Sequence, residues 1–172
     1  MSKTFKLILY IAGCTVVFLL LVRVYNNSLN SSNTANAFEW EKQVQVYFGN
    51  PKIAGDNVGN EDCSKVFPLT RTILNAETLG PGSLEALLKG VSAKEEDQGY
   101  ETALNKDVLV QRFDIEGGVA YIDFNSKFNE GVAGACRIEA IRSQIGTTLL
   151  ALPDIDSVVL SVNGETTGIL EP

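Results

Sequence analysis

Histidine is absent from all 172 residues. That removes the side chain titrating nearest neutral pH, the commonest metal ligand, and every Ser-His or Cys-His nucleophile arrangement. Positive charge is scarce as well. Lys3, Lys6 and Arg23 are the only charges before residue 38. Beyond them, 11 of the 14 Lys and Arg stand against all 21 acids, so the segment from Phe38 onward carries a formal charge of −10. Phosphate-contacting surfaces need the opposite sign, which excludes nucleic acid as a partner and opposes adsorption to anionic lipid. No internal repeat is present, and the one biased stretch is a short Asn/Ser run.

Hydrophobic residues make up 45% of the chain and charged residues 20%. That is the composition of a globular domain with a packed core. Residues 7–22, LILYIAGCTVVFLLLV, form an uncharged apolar run. It reaches about 20 residues if Lys6 and Arg23 snorkel, roughly the hydrocarbon thickness. The expectation is a signal anchor over 1–24, retained as a single pass in a bacterial cytoplasmic membrane. Lys3 and Lys6 place the N-terminus inside and the domain outside. Two alternatives stay open: cleavage after Ala35-Asn36-Ala37, and a lipoprotein at Cys14, where Ile11-Ala12-Gly13-Cys14 resembles a lipobox. Residues 25–37, rich in Asn and Ser, read as a flexible tether with a reach of roughly 20 Å. The domain is expected over 38–172.

Within that domain, Gln43–Phe48 alternates and predicts a strand. Gly49–Asp62 is dense in turn residues and predicts a loop. Val66–Leu74 is a second strand, which Pro68 confines to an edge. Pro81–Lys89 predicts a helix with Leu84, Leu87, Leu88 and Val91 on one stripe and Gly90 at its end. Lys94–Gln98 adds a charged turn. Val108–Ile115 and Val119–Phe124 flank Glu116-Gly117-Gly118 as a hairpin. Cys136–Leu152 is the main helix, with Ile138, Ile141, Ile145, Leu149 and Leu152 on one face and Pro153 ending it. Gly146 inside it costs about 1 kcal/mol against alanine. Ser157–Val162 is a last strand before the Asn163-Gly164 turn. The order β-(β)-α-β-β-α-β predicts an α+β fold, with two helices on one face of a mostly antiparallel sheet.

An ordered set of segments over residues 44–164 resembles the GerMN domain family of sporulation and spore germination proteins. It comprises Val44-x-Val46-Tyr47-Phe48, Pro68-Leu69-Thr70-Arg71, LEALLKG at 84–90, EEDQGY at 95–100, GVAYIDFNSKF at 118–128, RSQIGTTL at 142–149, Pro153 and VVLSVNG at 158–164. The resemblance implies a fold similar to the ring-building modules of trans-envelope machines, an exported and membrane- or lipid-anchored domain, and no catalytic motif. GerM has two such domains where this chain has one.

Cys63 and Cys136 are the only cysteines beyond the apolar run, and in an oxidising compartment a lone pair points to a disulfide. Free thiols are the alternative, and a redox pair would show a Cys-x-x-Cys spacing that is absent. Asp114, Glu116 and Asp123 flank the hairpin and read as a solvated sheet face rather than a glycosidase pair. Asp56, Glu61, Asp62, Glu95, Glu96 and Asp97 lack calcium-loop spacing. Arg71, Arg137 and Arg142 are expected to form structural ion pairs, with Glu139 or Asp123 as candidate acids for the last two, or to anchor a partner. Tyr47, Phe48, Phe113, Tyr121, Phe124 and Phe128 read as core and sheet-face aromatics.

No catalytic residue, metal site or cofactor is expected. The function that follows is a non-catalytic cell-envelope protein, anchored in the membrane through its N-terminal helix. Its exported domain would bind an envelope protein or self-associate. Binding of peptidoglycan or another glycan is the alternative, and hydrolysis is the least favoured.

Overall fold

The computed structural model describes residues 15–25, 41–55, 62–74 and 78–171. The chain divides into two compact units, Met1–Glu39 and Trp40–Pro172. The described part of the first is one exposed helix, α1, at 15–25. At 1.5 Å per residue it is about 16 Å long, half the roughly 30 Å of a hydrocarbon core. Among the described residues no helix is long and apolar enough to cross a membrane. This corrects the expectation of a single-pass anchor over 1–24 with the domain held outside: the apolar run is there in sequence, but the described helix is too short to span. Residues 7–14 with the Cys14 lipobox, the Ala35–Ala37 cleavage site, and all of the expected tether except Tyr25 lie outside the described residues.

The second unit runs β1 (Glu41–Phe48), α2 (Pro51–Ala54), β2 (Phe67–Leu74), α3 (Leu79–Leu88), α4 (Ala93–Asp97), β3 (Val110–Glu116), β4 (Val119–Phe124), a 3-10 turn (Ser126–Phe128), α5 (Ala135–Leu150) and β5 (Ser157–Val162). The α+β class holds. The strands form two sheets: β1 with β2, and β3-β4-β5 in that order. β1–β2 and β3–β4 are antiparallel, whereas β4–β5 is parallel. Strand direction follows from the connection. Gly117 and Gly118, at φ 58° and 82°, make the tight turn of the β3–β4 hairpin. The chain leaving β4 returns through α5, so β5 enters in the direction of β4. The loop expected at 49–62 contains α2, which the Asn50 side chain caps by accepting from Ile53 N at 3.1 Å, with Pro51 in the first turn.

α5 is the element on which both sheets close. It packs against β1, α3 and β5. Its buried positions, Ile138, Ile141, Gln144, Ile145, Thr148 and Leu149, follow the three-four spacing of one helical face. Each fully buried aliphatic side chain there contributes about 2 kcal/mol. Phe48, Ile122, Phe124, Phe128, Leu84 and Leu87 meet this face in one core, and the rings of Phe124 and Phe128 stack at 4.2 Å.

Two members of the stripe are polar, and both are used. Thr148 Oγ1 accepts from Tyr47 N at 3.0 Å, giving a β1 donor a partner on the helix. Gln144 Oε1 accepts from Ala103 N and the Thr102 hydroxyl, both at 3.3 Å, while Nε2 donates to Glu101 O at 3.4 Å. The loop before β3 is thereby fastened to α5.

A disulfide between Cys63 and Cys136, with Cα atoms 5.3 Å apart, ties the turn before β2 to the first turn of α5. It closes a loop of sequence separation 73, which in the chain-entropy model stabilises by up to about 4 kcal/mol. Urea unfolding with and without a reductant should therefore show a loss of about 2–4 kcal/mol on reduction. A Cys63→Ala, Cys136→Ala chain should reproduce the reduced curve. Two thiols titrating in the native oxidised protein would refute the bridge.

Candidate functional site

The three singled-out arginines go to different places. Arg71, on β2, forms a two-pronged pair with Glu95 of α4, at 2.7 and 2.8 Å, and its guanidinium lies 5.7 Å from the Phe48 ring centroid. The Glu95 carboxylate also accepts from Ser92 N at 2.8 Å. Both side chains are about one-fifth exposed, so the pair is largely shielded from screening. The Arg71 hydrogen bonds hold the Glu95 carboxyl down, from its ordinary 4.5 to about 2.

Arg137 and Arg142 reach no carboxylate among the described residues, contrary to the expectation of Glu139 or Asp123. Their five-residue separation on α5 points them apart. Arg137 donates to Ala103 O, Gly131 O and, at 2.7 Å, Asn105 Oδ1. Arg142 donates to Leu170 O at 3.1 Å.

The acids are similarly committed. Asp123 Oδ1 accepts from the Ser161 hydroxyl at 2.7 Å and from Gly164 N at 2.8 Å, and these bonds hold its carboxyl below the ordinary value. Asp114 pairs with Arg112 at 2.7 Å on the exposed sheet face. Asp62 accepts from Ser64, which lowers its pKa. Asp56 and Glu61 lie outside the described residues. Among the described residues, no three Asp, Glu or Cys gather as a metal site.

Among the described residues, a groove of about 540 Å³ lies between α5, β5 and the segment that follows. Its floor is aliphatic: Ile145, Leu150, Val158, Leu160, Ile169 and Leu170. Arg142 and Asp156 are its charged side chains, and Gly146 leaves part of the helical wall bare. Local chemistry builds each wall. Asn163 and Gly164, at φ 50° and 85°, turn the chain out of β5, and Asp123 holds that turn. Asn129 then clamps the returning segment, donating to Gly168 O and accepting from Leu170 N, both at 3.1 Å. Leu170 is buried at φ 52°, a conformation costly for a branched residue and held here by Asn129 and Arg142.

Of the predicted site residues, only Arg142 borders the groove. The other contributors carried weak signals. Thr166, Ile169 and Leu170 lie beyond the last periodic element, and Asn129 is one of many loop asparagines. The Ser92-x-x-Glu95 spacing is a capping-box signature that identifies Glu95 as structural.

The family model for Germane, described as sporulation and spore germination, matches residues 45–168. Among solved structures, the tandem GerMN domains of the sporulation protein GerM from Bacillus subtilis align with a TM-score of 0.55 at 23% identity. That alignment covers 73% of this chain and 40% of that one. The first GerMN domain of the same protein gives 0.48 at 19% identity, over 73% and 85% of the two chains. A putative lipoprotein from Clostridium perfringens gives 0.48 at 21%, over 76% and 80%. At 23% identity the likeness to the tandem domains is one of fold. No curated protein matches.

The Arg71–Glu95 pair sets a pH dependence. Because the folded pKa of Glu95 is depressed, its contribution is complete above about pH 4.5 and is lost as pH falls toward 2. The upper limit is about 3 kcal/mol, and partial exposure brings it to about 1–2. Glu95→Gln should destabilise by that amount at pH 7 and by almost nothing at pH 2, measured by urea unfolding across the range. A mutant penalty that stays constant with pH would contradict the assignment.

Proposed function

Starting from a chain that belongs to the Germane family, the sporulation and spore germination domains, we propose that it is a non-catalytic protein-interaction module serving that process. The observation that carries this reading is the make-up of the groove. It sets an aliphatic floor beside an edge strand and holds a single carboxylate, Asp156. Glycoside cleavage needs two carboxyl groups about 5–10 Å apart. Acid–base chemistry needs a group titrating near neutrality, yet histidine is absent and, among the described residues, the shifted carboxyls, Asp62, Glu95 and Asp123, all move downward. A glycan site wants several convergent polar groups and aromatic faces. No aromatic residue lines this groove, and Arg142 already spends a donor on Leu170 O.

The charge of −10 beyond Phe38 disfavours a second copy and attracts a partner of basic surface, mainly through the association rate.

The full chain, immobilised and exposed to extract of its source cells before and after glycan digestion, should retain one or two defined proteins. Retention should survive digestion and weaken as salt rises from about 50 to 300 mM, as the Debye length shortens. Retention of glycan fragments with no protein would overturn the reading.

A further inference from the structure

Among the described residues β5 is an outer strand of its sheet. Ser157 N and Asn163 N donate to Gly118 O and Phe124 O on the β4 side. In a parallel ladder this phase turns the odd-numbered residues of β5 toward β4 and leaves the backbone groups of Val158 and Leu160 facing outward. The same two residues line the groove.

Gly146 stands on its helical wall. Elsewhere in the domain a helical glycine has an internal reason: a Cβ on Gly80 would come within 2.7 Å of the Phe113 ring. At Gly146, apart from its own stretch of helix, no atom of the described residues lies within 4 Å of where a Cβ would be. Its φ is not among the positive values either. Nothing inside the domain demands glycine there, although glycine weakens a helix interior. What its bareness does is keep space open beside a strand edge that, among the described residues, is unpaired at Val158 and Leu160.

We propose that the groove takes an extended segment of a partner protein as a strand added to β5. Backbone groups of the segment pair with Val158 and Leu160, and alternate side chains, small or aliphatic, enter the space beside Gly146. From Arg142 to Leu150 the helix advances about 12 Å, the length of three to four extended residues. Charge fixes the partner's character. Asp156, just before β5 and beside Gly118, lines the groove, as does Leu150 at the C-terminal end of α5, where the helix dipole is also negative, so a Lys or Arg of the segment belongs at that end. This deepens the interaction-module reading and rests on it.

The test uses the full chain and a library of fluorescent octapeptides with alternating Val, Ile or Thr and one lysine near an end, read by anisotropy. The best peptide should bind the wild-type chain and lose roughly ten-fold or more in affinity to Gly146→Leu, which fills the groove. N-methylation of one edge-facing peptide amide should cost a similar factor, and Asp156→Asn should cost roughly three-fold for the lysine peptide only. Gly146→Ala should raise the thermal midpoint of the chain, and an unchanged circular dichroism spectrum for Gly146→Leu shows that its loss is not unfolding. Binding indifferent to Gly146→Leu or to N-methylation overturns the proposal, as does no wild-type binding at about 1 mM. A cellular protein retained equally by wild type and Gly146→Leu would leave the module reading standing and remove the groove from it.

Discussion

The domain depends on one buried helical face. α5 lies against β1 and β5, which belong to different sheets, so the two sheets have a common core because Ile138, Ile141, Ile145 and Leu149 fill the space between them. A two-stranded sheet alone is marginal in water; β1 and β2 form a stable layer by packing on α3 and α5. The polar members of the face add specificity. Gln144 and Thr148 are buried with their hydrogen bonds made to the 101–103 loop and to β1. A helix rotated or shifted by one residue would leave those groups buried and unpaired, at about 1–3 kcal/mol each.

The arginines extend the same logic to the surface. None of Arg71, Arg137 and Arg142 is a free cation awaiting an anion. Arg71 joins β2 to α4, Arg137 holds the loops at 103–105 and 131, and Arg142 holds the segment after β5 at Leu170. Two of them bind carbonyl oxygens rather than carboxylates, which is why counting charges along the helix could not find their partners. Guanidinium donors that satisfy loop carbonyls let a small domain order long connections without further secondary structure.

Legibility in the sequence followed periodicity. The strands at 43–48, 119–124 and 157–162 and the helix at 136–152 emerged within about two residues, since alternation or a three-four stripe marks each one. The hairpin was readable from Gly117-Gly118. What failed to emerge was relational or aperiodic. No local pattern reports that β5 runs parallel to β4, or that five strands divide into two sheets. α2 is too short to show a stripe, and Asn50-Pro51 reads as a turn signal within a turn-rich stretch. At the N-terminus hydropathy was read as length, and the described helix at 15–25 does not provide it. The groove was the least legible feature, for its walls come from a helix, a strand and a tail brought together by Asn129, Asp123 and Arg142 through contacts 28 to 41 residues apart.

That distribution of signal bears on function. Where chemistry is performed, a sequence tends to carry a dense constellation, because reacting groups must be of particular types. Here the strongest patterns describe packing, and Asp114 and Asp123 are taken up by an ion pair and a turn. A position that packing among the described residues does not explain is Gly146, a residue defined by having no side chain. An enzyme site is marked by groups that are present; a docking edge can be marked by clearance and by backbone left unpaired. Edge strands are normally blunted to prevent indiscriminate pairing, and this one is partly covered: the turn at 163–165 takes up Val162, and the tail at 166–170 walls one side. The segment left open, at Val158 and Leu160, is short, acidic at one end and roofed by a bare stretch of helix. Those restrictions convert a general aggregation hazard into a surface that selects its strand by length, side-chain size and charge.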